Sequence, residues 1–246
     1  MSRNLELLEQ LQQDQELFSV APMGQAPRSG RKRSSRSLEG CSLPTRRAGL
    51  LSLAQRLFWT NVAKDRKRTR RVVFCGIEVG DATSELCVEL ARVLASQAES
   101  LVCVAEGNVH APQLSRLFGL APSDVATHGS QVLRPVTDNL WLISGYTEVP
   151  PSDPTESLRQ LRSQIRGMPP EFDHVIINAP PAGIYPEAAL LGQGTDGVVL
   201  VLEANRTRKL TARKAKQDLV ATGVQVLGAV LNNRTFPTPE RIYHCL

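Results

Sequence analysis

Between Val72 and Leu231 six short apolar runs alternate with segments of helical periodicity, and no other feature of the chain narrows the choice of fold so far. The runs are Val72–Cys75, Leu101–Ala105, Leu140–Ser144, His174–Asn178, Gly197–Leu202 and Val224–Leu231. Rich in Val, Ile and Leu, they read as buried strands. Helical patterns fall between them at Ser84–Ser96, Gln113–Phe118, Pro154–Arg166, Glu187–Leu191 and Arg206–Ala221. This alternation predicts a parallel sheet covered by helices on both faces. In such sheets a ligand sits at the carboxyl ends of the strands, so the residues that follow each strand are the ones to inspect.

The first run ends in a glycine loop that opens straight into a helix: Arg71–Ser84 reads RVVFCGIEVGDATS. In this layout backbone N–H groups and a helix N-terminus face an anion. The predicted fold class is α/β, a P-loop NTPase-like three-layer sandwich with a mainly parallel central sheet and a partly disordered helical N-terminal extension. Phosphate loops carry a lysine immediately before a Mg-ligating hydroxyl. Here Thr83 holds the lysine's place and Ser84 that of the hydroxyl. Gly80, Asp81, Ala82, Thr83 and Ser84 are the candidate nucleotide-binding residues.

The formal charge of +5 is unevenly spread. Residues 1–71 hold 15 Lys/Arg and 6 Asp/Glu, a net +9, and the remainder holds 14 and 18, a net −4. The basic character belongs to the extension, which reads either as a solvated arm or as one that meets an anionic surface or partner. With few aromatics beside the charge, no nucleic-acid role is expected. Residues 1–20 carry an amphipathic helical pattern over Asn4–Val20, residues 21–46 read as a disordered linker, and residues 47–70 hold a docking helix and a basic lead-in. Residues 71–246 form the domain. The helix carries Leu50, Leu53, Leu57, Phe58 and Trp59, an apolar face that must pack on the domain or on another subunit. No run is apolar for long enough to cross a bilayer, and MSRNLELLEQ has no signal-peptide core. The five cysteines form no CxxC pair and the four histidines are scattered, so reduced thiols and no metal cluster are expected.

Five features in order resemble the cytoplasmic domain of bacterial tyrosine kinases, a branch of the deviant P-loop ATPases that serves capsule and exopolysaccharide assembly. They are the loop Gly80–Ser84, the tract from Pro112 through LSRLFGL, FDHVIINAPP from Phe172, DGVVLVLEA from Asp196 and LGAVLNNR from Leu227. The resemblance runs from about Leu50 to the C-terminus. It implies ATP or ADP with Mg as ligands, Ser84 and Glu106 as candidate Mg contacts, and a membrane-embedded chain-length or export component as partner. It further implies homo-oligomeric assembly, and a cytoplasmic place that is peripheral at the inner face of the membrane. By the same resemblance Asn232 is either an adenine contact or an asparagine ending a strand. Tyr243 is either a phosphoacceptor or a packed terminal aromatic.

The chain departs from that pattern where charge matters. The family's Gly-Glu-Gly-Lys-Ser/Thr is Gly80-Asp81-Ala82-Thr83-Ser84 here. Its Asp-x-Asp aligns with Glu106-Gly107-Asn108, so Glu106 is a retained acid and Asn108 an amide. Its third acidic position is Asn178. A lysine makes charge-assisted bonds to phosphate of about 1.5–3 kcal/mol each. Losing one weakens binding by roughly tenfold to a hundredfold. The helix positions that the family uses for ring assembly fall at Ala48, Leu51 and Ala54, and Tyr243 is the single tyrosine of the final segment. The sequence therefore predicts a regulatory protein of exopolysaccharide or capsule synthesis whose nucleotide binding and kinase activity are weakened or lost. Two alternatives stay open: an active autokinase acting on Tyr243, with Lys64, Arg66 or a neighbouring subunit's arginine supplying the missing charge, and a deviant P-loop positioning ATPase.

Overall fold

The computed structural model describes residues 20–22, 43–59, 69–80, 82–97, 100–120, 126–128, 131–144, 154–166 and 171–233. The strands are β1 (Val20–Pro22), β2 (Arg70–Gly76), β3 (Leu101–Glu106), β4 (Ala126–His128), β5 (Gln131–Thr137), β6 (Leu140–Ser144), β7 (Phe172–Ala179), β8 (Gly197–Glu203) and β9 (Val226–Asn232). The helices are α1 (Leu43–Ala54), which runs on into a π-helical turn at Gln55–Trp59, α2 (Thr83–Gln97), α3 (Leu114–Phe118), α4 (Pro154–Arg166), α5 (Glu187–Gly192) and α6 (Lys209–Ala221).

One sheet of nine strands runs β1-β9-β8-β2-β7-β3-β6-β5-β4. The seven strands from β1 to β6 in that order pair in parallel, and β5 and β4 close the edge as an antiparallel meander. The two-residue period of a strand divides β2 between two cores. Val73 and Cys75 face one of them, with Leu161 and Ile165 of α4, Leu191 of α5 and Leu219 of α6. Val72 and Phe74 face the other, with Leu50 and Leu53 of α1, Phe58, and Leu86, Leu90 and Leu94 of α2. The three-layer α/β sandwich is thus the one that the alternation predicts.

All six predicted strands are present, within two residues of their predicted ends. Three differences have local causes. The meander of β4 and β5 is absent from the sequence reading, because Arg134 and Pro135 interrupt any apolar run there. Val20–Pro22 form a strand, where the sequence puts the end of a helix and the start of a linker; β9 supplies the edge that they extend. Helix α1 starts at Leu43, inside the predicted linker, with a proline in its first turn, where the missing N–H costs nothing. The rest of the predicted N-terminal helix and linker, Asp81, Cys41, Cys245, Tyr146, Lys64, Arg66 and Tyr243 lie outside the described residues.

The docking helix packs on its own domain. Phe58 is fully buried and meets His174 edge-on, with ring centroids 5.2 Å apart; burying such a ring stabilises by about 1.5–3 kcal/mol. Arg46 of α1 reaches Glu89 of α2 at 2.6 Å. Of the three positions where the resemblance places ring contacts, Ala54 is fully buried against the domain. Cys75, Cys87 and Cys103 are buried and in no disulfide, and burial pushes the Cys87 and Cys103 thiols up. Among the described residues no helix is long and apolar enough to cross a membrane.

Candidate functional site

The parallel strands end on one side of the molecule, and three of their carboxyl ends build the site. β2 runs out into the glycine loop, which ends in the first turn of α2. Gly80 has φ +86°, a left-handed conformation that suits a residue without Cβ. Leu86 N–H donates to the Ala82 carbonyl at 3.1 Å, the bond that starts the helix. Thr83 and Ser84 therefore sit in the first turn of a 15-residue helix, with its N–H groups and dipole beside them.

The second and third contributions come from β3 and β7. Their register makes Glu106 and Asn178 direct neighbours at the ends of the two strands. Gly107 lets the chains leave so close together, since a Cβ there would lie 2.8 Å from the Asn178 carbonyl and 2.7 Å from Leu191 Cδ1. The loop after β7 folds over the one after β2, where Ala182 N–H donates to the Gly76 carbonyl at 2.9 Å.

A cavity of about 270 Å³ opens between these ends, and its walls include Gly80, Thr83, Ser84, Asn108, His110 and Tyr185. Four of the sequence candidates, Gly80, Thr83, Ser84 and Asn108, come together on this wall, while Glu106 and Asn178 lie behind it. Asn232 does not line the cavity. It is fully buried at the end of β9, and both its amide atoms lack hydrogen-bond partners. The Thr83 hydroxyl is likewise buried without a partner. Buried polar atoms are rarely left unmatched, so the Thr83 hydroxyl, on the cavity wall, is the place where an acceptor of a ligand would be accommodated.

Glu106 is engaged on both oxygens. Its Oε1 accepts from Asn108 N–H at 3.2 Å and Asn178 Nδ2 at 2.8 Å, and its Oε2 from the N–H groups of Gln113 and Leu114 at 2.8 and 2.9 Å. The carboxylate thus anchors the start of α3. Burial pushes its pKa up, and these four bonds oppose that shift. Asn178 also donates to Ser84 Oγ at 3.0 Å. Asn108 Oδ1 accepts from Ala111 N–H at 3.2 Å, which fixes the turn after β3.

Two groups were not singled out by the motifs. His110 stacks on Tyr185 at 3.9 Å between centroids, and its Nε2 lies 2.9 Å from Glu187 Oε1. Arg206, in the turn after β8, donates to the carbonyls of Val79 and Gly80 at 3.0 and 3.3 Å and pairs with Glu203 at 2.9 Å. Both follow the carboxyl ends of strands, and that position is the signal that finds them. Arg206 brings a cation to the loop from its outer side. The residues fit a phosphate-bearing ligand at the loop, through backbone N–H groups, two hydroxyls and the helix N-terminus. They do not fit Mg²⁺: of its candidate contacts, Glu106 is filled by N–H donors and the Ser84 oxygen accepts an amide N–H.

A parallel sheet with helices on both faces, a glycine loop opening into a helix and a cavity at the strand ends make this a P-loop ATPase-like α/β fold. Comparison with known proteins narrows this further. The kinase domain of the Escherichia coli tyrosine kinase ETK superposes with a TM-score of 0.75 at 17% identity, covering 97% of each chain. The nucleotide-binding protein of Archaeoglobus fulgidus, solved with ADP, gives 0.53 at 20% identity over 71% of each. In sequence, the tyrosine-protein kinase CpsD of Streptococcus agalactiae is 36% identical over 87 residues, 35% of this chain and 38% of that protein. The chain is thus related over this stretch to the bacterial tyrosine kinases, and the match spans about two-fifths of the relative's length. No family model matches the chain.

Proposed function

We propose that this protein is a regulatory member of the bacterial tyrosine kinase group in capsule or exopolysaccharide synthesis, with a nucleotide site that binds weakly and transfers phosphoryl groups poorly or not at all. The observation that carries the reading is three neutral side chains at and behind the cavity wall. Thr83 stands where a lysine would grip the β- and γ-phosphates, and Asn108 and Asn178 stand where carboxylates would act. Phosphoryl transfer depends almost wholly on positioning and on charge placed against the phosphates, so three neutral side chains remove most of what drives it. An amide neither takes a proton from an acceptor hydroxyl nor balances a metal's charge.

What remains suits recognition. The loop N–H groups, the Thr83 and Ser84 hydroxyls and the α2 N-terminus offer donors to phosphate. Nucleotide occupancy would then report to a membrane-embedded chain-length or export component, with the protein held in the cytoplasm at the inner face of the membrane. Incubation with [γ-³²P]ATP tests the reading: no label is expected on the protein. A label on Tyr243 that disappears in Tyr243→Phe would establish the active autokinase instead. Calorimetric titration with ADP is expected to show binding weaker than micromolar.

A further inference from the structure

Asn178 sits between the two groups that a divalent cation would bridge. Its Nδ2 lies 3.0 Å from Ser84 Oγ and 2.8 Å from Glu106 Oε1, and the side chain is wholly buried. A primary amide has two N–H donors, and here one goes to the hydroxyl and the other to the carboxylate. Turning the amide over would set its oxygen 2.8 Å from a carboxylate oxygen, two acceptors in contact. Glu106 itself has no oxygen to give, for the N–H groups of Asn108, Gln113 and Leu114 take the rest of its capacity. Mg²⁺ needs oxygen ligands at about 2.0–2.1 Å in near-octahedral array.

We propose that the Asn178 carboxamide nitrogen takes the place of the divalent cation, so that this site binds phosphate groups free of metal. The proposal rests on the nucleotide reading above and deepens it, naming the ligand as a metal-free nucleoside diphosphate or a related phosphate compound. With its oxygen accepting from Asn178, Ser84 has its own proton to donate to a phosphate oxygen. The unpartnered Thr83 hydroxyl stands next to it as a second donor. The shift from cation to amide is written in one residue of the register that joins β3 to β7.

The test has two arms. In calorimetry with ADP, the affinity is expected to be the same within twofold in MgCl₂ and in EDTA, and a tenfold loss in EDTA overturns the proposal. If ADP binds under neither condition, the nucleotide reading fails, and the cation arm still decides this one. Mn²⁺ titrated without nucleotide, and followed by its free-ion paramagnetic resonance signal, is expected to stay free with the wild-type protein. It is expected to be captured by Asn178→Asp, which adds a carboxylate beside Glu106. Should that variant fail to fold by circular dichroism, the titration of the wild-type protein decides alone. Capture of Mn²⁺ by wild type that is lost in Ser84→Ala overturns the proposal, as does the absence of capture by a folded variant.

Discussion

Glu106 illustrates how one residue changes its work when its neighbours change. Burial disfavours its charged form, and the four N–H donors around it offset only part of that cost, so its carboxyl is held above the ordinary range. The consequence for stability has a definite sign. Between the unfolded and folded pKa values the folded protein binds more protons than the unfolded one, so stability falls as pH rises through that window. The contribution is fully present below the unfolded value and lost above the folded one. Urea unfolding across pH 4 to 7 should show that component, and Glu106→Gln should flatten it; an unchanged slope in the variant would assign the dependence to other groups. From the sequence Glu106 reads as a surviving metal ligand. That it caps a helix instead depends on Gln113 and Leu114 turning their N–H groups back towards it, which no spacing rule reveals.

At the scale of elements, the phosphate loop is held from two sides. Inside, it runs into α2; outside, Arg206 fastens the carbonyls of Val79 and Gly80 and is itself steadied by Glu203. Carbonyls that point away from the cavity leave their peptides' N–H groups free to face it. A guanidinium on those carbonyls fixes the peptide planes and strengthens the donors by polarisation. Arg206→Ala should therefore speed amide hydrogen exchange at Gly80, whose N–H shares a peptide with the Val79 carbonyl, and lower ADP affinity about tenfold. Global stability should change by less than about 0.5 kcal/mol, because the pair with Glu203 is half exposed. Arg206→Lys should recover part of the affinity, and an unaltered affinity in both variants would make the contact merely structural. The strands at the sheet centre are legible because burial on both faces leaves a run of Val, Ile and Leu. β1 and β4 are not, for they are three-residue edge segments whose state is decided by the strand that they join, and in β5 Arg134 and Pro135 break the apolar run. The loop, Ser84, Glu106 and Asn178 could be grouped from the rule of strand ends. The bonds among them could not, nor could the reach of Arg206 to a loop 126 residues away in the chain.

For the whole molecule, charge divides the chain in two. Residues 1–71 carry a net +9 and the remainder a net −4. A segment of that charge near an anionic bilayer gains about 1 kcal/mol for each Lys or Arg at the surface, and the gain fades within a Debye length. The remainder, being acidic, is repelled by the same surface, so the basic residues of this segment would be the ones to meet the membrane. The arrangement suits a protein whose proposed partner is embedded in the bilayer. Vesicles containing phosphatidylglycerol should sediment the full chain at 50 mM salt and release it at 500 mM, whereas neutral vesicles should leave it in solution. Replacing Arg31, Lys32, Arg33 and Arg36 by Gln removes four of the arm's charges and should weaken binding at least a hundredfold, even if only part of that energy is realised. Retention that ignores salt would point to apolar insertion, and no retention at 50 mM would leave the arm as a solvated tail and move the search for the membrane contact to the acidic domain.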